Sequence, residues 1–284
     1  MHGFAVVDKA AGMTSHEVVD RARRLLGTRK VGHAGTLDPD VTGVLLLGVG
    51  RATRLLRFVV DLPKSYAGQV AFGTETTTLD AGGGTTASHD MAGLALADVR
   101  AAAAGFVGDI LQVPPMVSAV RVGGRRLHEL AREGIEVERA ARPVTVHRFD
   151  VVAEVEPGVF AVEVECSSGT YVRSLAADLG RALGGGAHLR TLRRTAVGPW
   201  SADEATAVEG LTLRPERDAV AHLPSVTVDE ETAGLVRTGR RLLKSGPVVF
   251  PGDGPWAVVD GQGELLAVYE TRDTQAVPAV VLAP

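Results

Sequence analysis

Apolar residues recur along this chain in two rhythms. Alternation predicts strands at residues 4–8, 64–73, 117–122, 143–155, 160–167 and 188–197. In 64–73, Tyr66, Val70 and Phe72 share one face. Helical spacing of Val18, Val19, Ala22, Leu25 and Leu26 predicts a helix opened by a Thr14/Glu17 capping box and stopped at Gly27. Further helices are expected at 51–60, 96–106, 127–132 and 170–183. The continuous run Val44-Leu45-Leu46-Leu47 reads as a buried strand or a short helix, and the Thr- and Gly-rich stretch 74–90 as a loop.

Past Arg214-Pro215 and Leu223-Pro224 the character changes, and 215–225 reads as a linker. Short apolar runs follow at 226–228, 247–250, 256–259, 265–269 and 280–282, separated by Gly- and Pro-containing turns, the pattern of a small β-barrel. Strands and helices do not alternate regularly. The expected class is α+β, with a mostly antiparallel central sheet and flanking helices.

Composition narrows this little but usefully. A 45 % apolar share over 284 residues supports a sizeable core. The single cysteine, Cys166, rules out an internal disulfide or a multi-Cys zinc site. No 18-residue apolar run predicts a membrane span, and the N-terminus lacks a signal-peptide pattern, so a cytoplasmic protein is expected. A net charge of −4 speaks against non-specific coating of nucleic acid, yet leaves room for a local basic groove. Arginines cluster at Arg121, Arg125 and Arg126, and again at Arg181, Arg190, Arg193 and Arg194 around His188.

Candidate chemistry concentrates at residues 31–54. Asp38 stands between a Gly-rich turn and the apolar run, with His33 five residues before it. Pro39 biases Asp38 toward an extended or turn conformation. Gly32 and Gly35 allow positive φ and close backbone approach. A carboxylate on a constrained loop backed by core is a common presentation of a reactive group. By spacing alone, an ordinary Asp-Pro turn remains the alternative.

Gly32-His33-Ala34-Gly35-Thr36-Leu37-Asp38-Pro39, continuing to Thr42-Gly43, resembles the signature of the TruB-type pseudouridine synthases, which isomerise a uridine in the T loop of tRNA. Four other segments agree with that family in order and spacing. They are Lys64-Ser65-Tyr66, Pro114-Pro115 through Glu133, Gly169-Thr170-Tyr171-Val172-Arg173 and Gly186 through Arg194. The resemblance covers residues 3–210. It implies a catalytic domain over 1–222 with a tRNA-contacting insertion near 121–142, and a PUA-like RNA-binding domain over 223–284.

The resemblance also assigns roles. Asp38 would be the catalytic nucleophile or base, and the residues do not say which. A dry pocket would raise its pKa, and Arg173 would counter this by binding the carboxylate. Tyr66 would stack on a base flipped out of the RNA, Tyr171 and Leu192 would wall the pocket, and His33 would fill the space the base leaves. Lys9, Lys64, Arg121, Arg125, Arg126, Arg190, Arg193 and Arg194 would contact the RNA backbone. The enzyme would act on the tRNA T arm (uridine 55) as a monomer, with no cofactor, metal, membrane or obligate protein partner. Val41 stands where Ala is usual, Thr77 where Asp is frequent, and Val117 and His128 where aromatics are common.

Other classes were weighed against this one. A non-catalytic RNA-binding or tRNA-folding module would be expected to have lost Asp38 or Arg173. The catalytic subunit of a guide-RNA particle would lack the insertion. A metal hydrolase built on His33, Asp38 and Asp40 would have too few ligands.

Overall fold

The computed structural model describes residues 1–244, 246 and 248–282, with every side chain in that range except that of His128. Pro247 of the predicted run 247–250, the last two residues of the 223–284 domain and the His128 side chain lie outside the described residues. None of the described helices is long and apolar enough to cross a membrane.

A nine-stranded sheet organises residues 3–201. Its main path runs Gly3–Lys9, Thr42–Val49, Ala187–Val197, Lys64–Phe72, Val159–Cys166, Arg142–Glu156 and Gly108–Gln112. Val31–Ala34 and Trp200–Ser201 pair off this path. Neighbours are antiparallel except for a short parallel contact, Arg193 with Thr42 and Arg194 with Gly43. The α+β expectation therefore holds. Val44–Leu47 is a strand, and alternation makes its two faces serve two cores. Val44 and Leu46 join Phe4 and Val6 on one side; Leu45 and Leu47 join Ala5 and Val7 on the other. The two strands are buried on both faces, which explains the unbroken apolar run.

The parallel contact depends on one glycine. Gly43 has φ +103°, and a Cβ there would lie 2.1 Å from the Arg194 carbonyl oxygen. Gly35 also has positive φ, as expected. Gly32 does not: it sits in an ordinary strand position, where the Cβ of a larger residue would touch Leu56 at 3.5 Å.

The capping box at Thr14 and Glu17 forms, and Gly27 ends the helix Ser15–Leu26 in the left-handed region at φ +61°. Residues 50–58 coil as a 3-10 helix rather than an α-helix. The 74–90 stretch is not a simple loop: Thr74–Thr76 and Thr85–Ser88 form a small hairpin. Residues 117–120 are not a strand; only Arg121–Val122 pairs, with Arg125–Arg126. Their alternation reflects a segment half-buried against the sheet edge. The edge strand Gly108–Gln112 has no counterpart in the predicted elements, since Gly and Asp at its start mask its alternation.

Residues 225–281 form a five-stranded sheet, Ser225–Thr227, Trp256–Val259, Leu265–Arg272, Gln275–Val281 and Leu242–Leu243, capped by a helix Glu230–Arg237 that the apolar runs did not predict. The 215–225 stretch is no solvated linker. Ala219 and Val220 are fully buried, and they belong to one core with Leu55 and Val59 on one side and Ala257, Val259 and Val268 on the other.

Candidate active site

Asp38 follows the strand Val31–Ala34 on a turn closed by a hydrogen bond from the Val41 N–H to the Asp38 carbonyl, 3.1 Å. The backbone on either side is pinned from the core. Buried Ser15 Oγ accepts from the Leu37 N–H at 2.9 Å and donates to the Leu37 carbonyl at 3.2 Å. On the other side the Pro39 carbonyl accepts from the Gly12 N–H, 3.0 Å, and from Lys9 Nζ, 2.8 Å.

Lys9 is fully buried and also donates to the Ala10 and Met13 carbonyls. It holds the Asp38 loop from behind and is sequestered from the surface, where a contact with the RNA backbone was expected. Desolvation lowers its pKa, against the attraction of Asp40 and Asp38.

Arg173 crosses the site from the first turn of the helix Val172–Ala182. That helix is buried on most sides, so an exposed Arg173 is excluded. Its Nη2 lies 2.9 Å from Asp38 Oδ2, and its Nη1 lies 3.2 Å from Asp80 Oδ2. The same two nitrogens donate to the Val117 carbonyl at 2.9 Å and the Thr78 carbonyl at 3.0 Å. The guanidinium fork is thus shared between two carboxylates rather than bound bidentately to one. Asp80 was missed in the sequence. It lies three residues past the position where an acid was sought, and apart from Glu75 it is the only acid in residues 74–87.

The Asp38 side chain is 49 % exposed while that of Arg173 is 6 % exposed. The carboxylate is half exposed to water rather than enclosed in the dry pocket expected from sequence. A cavity of about 260 Å³ opens beside it. Tyr66, Tyr171 and Leu192 line it together with Asp38, Arg173, Lys64 and Arg194. Residues drawn from four separate segments of the chain therefore meet around one base-sized space.

Two of these cations were expected on the RNA backbone, and the fold puts them elsewhere. Arg194 is 1 % exposed and donates to the Val44 carbonyl at 2.7 Å and the Gly35 carbonyl at 3.0 Å. Lys64 is buried, and its ammonium donates to the carbonyls of Val60 and Leu62, both at 2.7 Å. Desolvation, reinforced by nearby Arg194, brings the Lys64 pKa down to about 8. The Arg194 guanidinium and the Tyr66 ring line the same cavity wall. Burial raises the Tyr66 pKa, so the phenol stays neutral.

His33 does not line the cavity. Its ring meets His16 edge-on at 5.4 Å, and its Nδ1 is buried with no hydrogen-bond partner among the described residues. Burial, with help from His16, lowers its pKa to about 4. Of the remaining arginines, three pair with acids near the surface. Arg125 pairs with Glu133, Arg190 with Glu156 at 2.7 Å and Arg193 with Asp8 at 2.8 Å. Arg121 and Arg126 are exposed. The stretch 181–194 contains no acid; Arg181 pairs with Asp178 one turn before it, while the counter-ions of Arg190 and Arg193 arrive from distant strands.

The sheet and this site place the molecule among the pseudouridine synthases. A chain in the crystal structure of a Cbf5-Nop10-Gar1 complex is 27 % identical and matches 98 % of this chain and 83 % of its own, with a TM-score of 0.75. A chain from an H/ACA RNP bound to a substrate RNA containing 2'-deoxyuridine is 25 % identical, covering 99 % of this chain and 85 % of its own, with a TM-score of 0.74.

The family model for the TruB family pseudouridylate synthase N-terminal domain matches residues 23–172, and that for the tRNA pseudouridylate synthase B C-terminal domain matches 173–217. The tRNA pseudouridine synthase B of Rhodococcus jostii (strain RHA1) is 48 % identical over 99 % of this chain and 94 % of its own length. That of Arthrobacter sp. (strain FB24) is 45 % identical over 100 % and 97 %. The chain belongs to the TruB family of pseudouridylate synthases.

Proposed function

We propose that this protein isomerises a uridine in the T loop of tRNA to pseudouridine, acting alone and through Asp38. The observation that carries the reading is the half-exposed Asp38 carboxylate, held by buried Arg173 at 2.9 Å on the rim of a tyrosine-lined cavity.

The reaction conserves atoms. The C1′–N1 bond breaks, the uracil turns, and a C1′–C5 bond forms. A proton leaves C5 and N1 gains one. Asp38 serves as the nucleophile that adds to the sugar or base, or as the base that takes the proton. A net isomerisation calls for no redox partner.

The target base must leave its stack, at a cost of a few kcal/mol. Stacking on an aromatic ring returns about 1–3 kcal/mol per base. Tyr66 offers that ring from the cavity wall. Tyr171 and Leu192 close the other walls. RNA seated over the cavity would cover the exposed face of Asp38 and strengthen its pairing with Arg173 by excluding water. His33, beneath the same loop, would meet the RNA where the base departs. Arg121, Arg125 and Arg126 on the 121–142 insertion would then meet phosphates, as would Arg190 at the outer end of its strand. The 223–284 region would add an RNA-binding surface, and the protein would work in the cytoplasm as a monomer.

The test uses purified protein and an unmodified tRNA transcript, with no added protein, guide RNA or metal. Pseudouridine mapped to a single T-loop position, absent with Asp38→Asn, is expected. Tight tRNA binding without product would overturn the reading in favour of a binding or folding role.

A further inference from the structure

The helix that carries Arg173 starts without a cap of its own. Its N-cap residue is Tyr171, whose side chain makes no capping hydrogen bond and instead lines the cavity. A Ser, Thr, Asp or Asn there would secure the first turn locally. What secures it comes from a different element. Gln112, the last residue of the edge strand Gly108–Gln112, is 2 % exposed. Its Oε1 accepts from the Tyr171 N–H at 2.7 Å, and its Nε2 donates to the Tyr171 carbonyl at 3.1 Å. Both ends of one carboxamide grip both polar groups of one residue.

The grip has company but no substitute. Ser174 Oγ donates to the Val113 carbonyl at 3.1 Å, and Arg173 Nη2 donates to the Val117 carbonyl at 2.9 Å. Of these three links between residues 112–117 and the first turn of the helix, only that of Gln112 uses a side chain from the strand end. Gln112 does not line the cavity, so it has no means of touching a base in it.

We propose that Gln112 is a positioning residue for catalysis: it fixes the helix N-terminus so that Tyr171 faces the base and Arg173 reaches Asp38. The inference deepens the function proposed above and rests on it. The geometry is demanding at the far end. Arg173 satisfies two carboxylates and two carbonyls within 3.2 Å through two nitrogens. A small shift of its Cα breaks several of these at once, and misplacements of about 1 Å far from the chemistry cost on the order of a hundredfold in rate. Gln112 also closes the strand that leads into the loop bearing Val117, so its hydrogen bonds tie that loop to the helix bearing Arg173.

The experiment compares the wild type with Gln112→Met, which keeps the length and removes both hydrogen bonds. Val99→Ala serves as a control: Val99 is fully buried in the same core but sits on the helix Leu96–Ala104, away from the site. Single-turnover rate at saturating enzyme, tRNA Kd and thermal midpoint are measured for each, at a temperature where all are folded. Gln112→Met is expected to slow the rate by about tenfold to a hundredfold while Kd stays within about threefold, and Val99→Ala to lose stability without slowing. If Gln112→Met does not fold, Gln112→Glu carries the same measurement, since it keeps the acceptor for the Tyr171 N–H and lacks the donor. An unchanged rate, a loss confined to Kd, or a slowing matched by Val99→Ala overturns the proposal. A wild type that binds tRNA but forms no pseudouridine overturns the function on which it rests; an active wild type beside an unaffected Gln112 variant overturns this inference alone.

Discussion

The surroundings of the cavity and the 121–142 segment use cations in opposite ways. Around the cavity and behind the Asp38 loop, Lys9, Lys64, Arg173 and Arg194 are buried and spend most of their donors on backbone carbonyls. Arg173 alone among them also grips carboxylates, Asp38 and Asp80. On the insertion and the neighbouring strand end, Arg125 and Arg190 are exposed and paired with surface acids. Buried cations that satisfy carbonyls build a rigid frame, because losing any one leaves polar groups unpaired in low dielectric. Exposed pairs contribute little to stability and exchange partners readily. Positive charge in this molecule thus divides into buried frame and exposed surface, and the division follows burial rather than residue type.

The comparison can be broken first at the scaffold. Asp38→Asn should cut turnover by about a thousandfold or more, in keeping with the loss of a reacting group, with tRNA Kd nearly unchanged; a gel-shift titration beside the product assay checks both. Arg173→Lys should lose on the order of a hundredfold in rate, because an ammonium cannot span the Asp38 and Asp80 carboxylates and two carbonyls with a planar fork. A rate near that of the wild type would show that charge alone suffices.

Tyr66→Leu should slow the reaction by roughly tenfold to a hundredfold through lost stacking, whereas Tyr66→Phe should lose less, because it retains the ring. Equal rates for the two would argue against stacking. On the insertion, Arg125→Ala should leave single-turnover rate intact and flatten the salt dependence of tRNA binding by about one unit of slope. A large rate effect there would erase the division between frame and recognition.

The smallest expected effect concerns pH. His33 titrates at about 4 in the folded protein and near 6.5 when unfolded. The unfolded state therefore binds the proton more readily. The stability contributed by a neutral His33 is complete above pH 6.5 and is lost progressively as pH falls toward 4. Urea unfolding of wild type and His33→Gln across this window should show a steeper decline in the wild type. Parallel curves would mean that His33 is not the group responsible.

Much of this was legible in the residues. The capping box at Thr14, the stop at Gly27 and the alternation of 160–167 are local rules, and local physics decides them. Asp38, Tyr66, Tyr171, Arg173 and Leu192 stand in recognisable motifs, and the fold gathers all five around one cavity. Asp80, Ser15 and Gln112 were not legible. Each acts on a residue distant in sequence: Ser15 on Leu37, Gln112 on Tyr171 and Asp80 on Arg173. Nothing in a run of neighbours announces such a contact. Within the basic cluster at 181–194, Arg190 and Arg193 misled for the same reason, since the acids that answer them, Glu156 and Asp8, lie far away in the chain.

The sequence by itself determined most of the elements, the α+β class and the candidate carboxylate, because periodicity, caps and a contiguous motif are properties of neighbouring residues. Only the tertiary structure decided which cations are frame and which remain at the surface, that Arg173 divides its fork between two acids, and that the 215–225 stretch is core rather than linker. Burial and pairing are set by what the fold brings across the sheet, and desolvation then turns a charged side chain into a structural clamp.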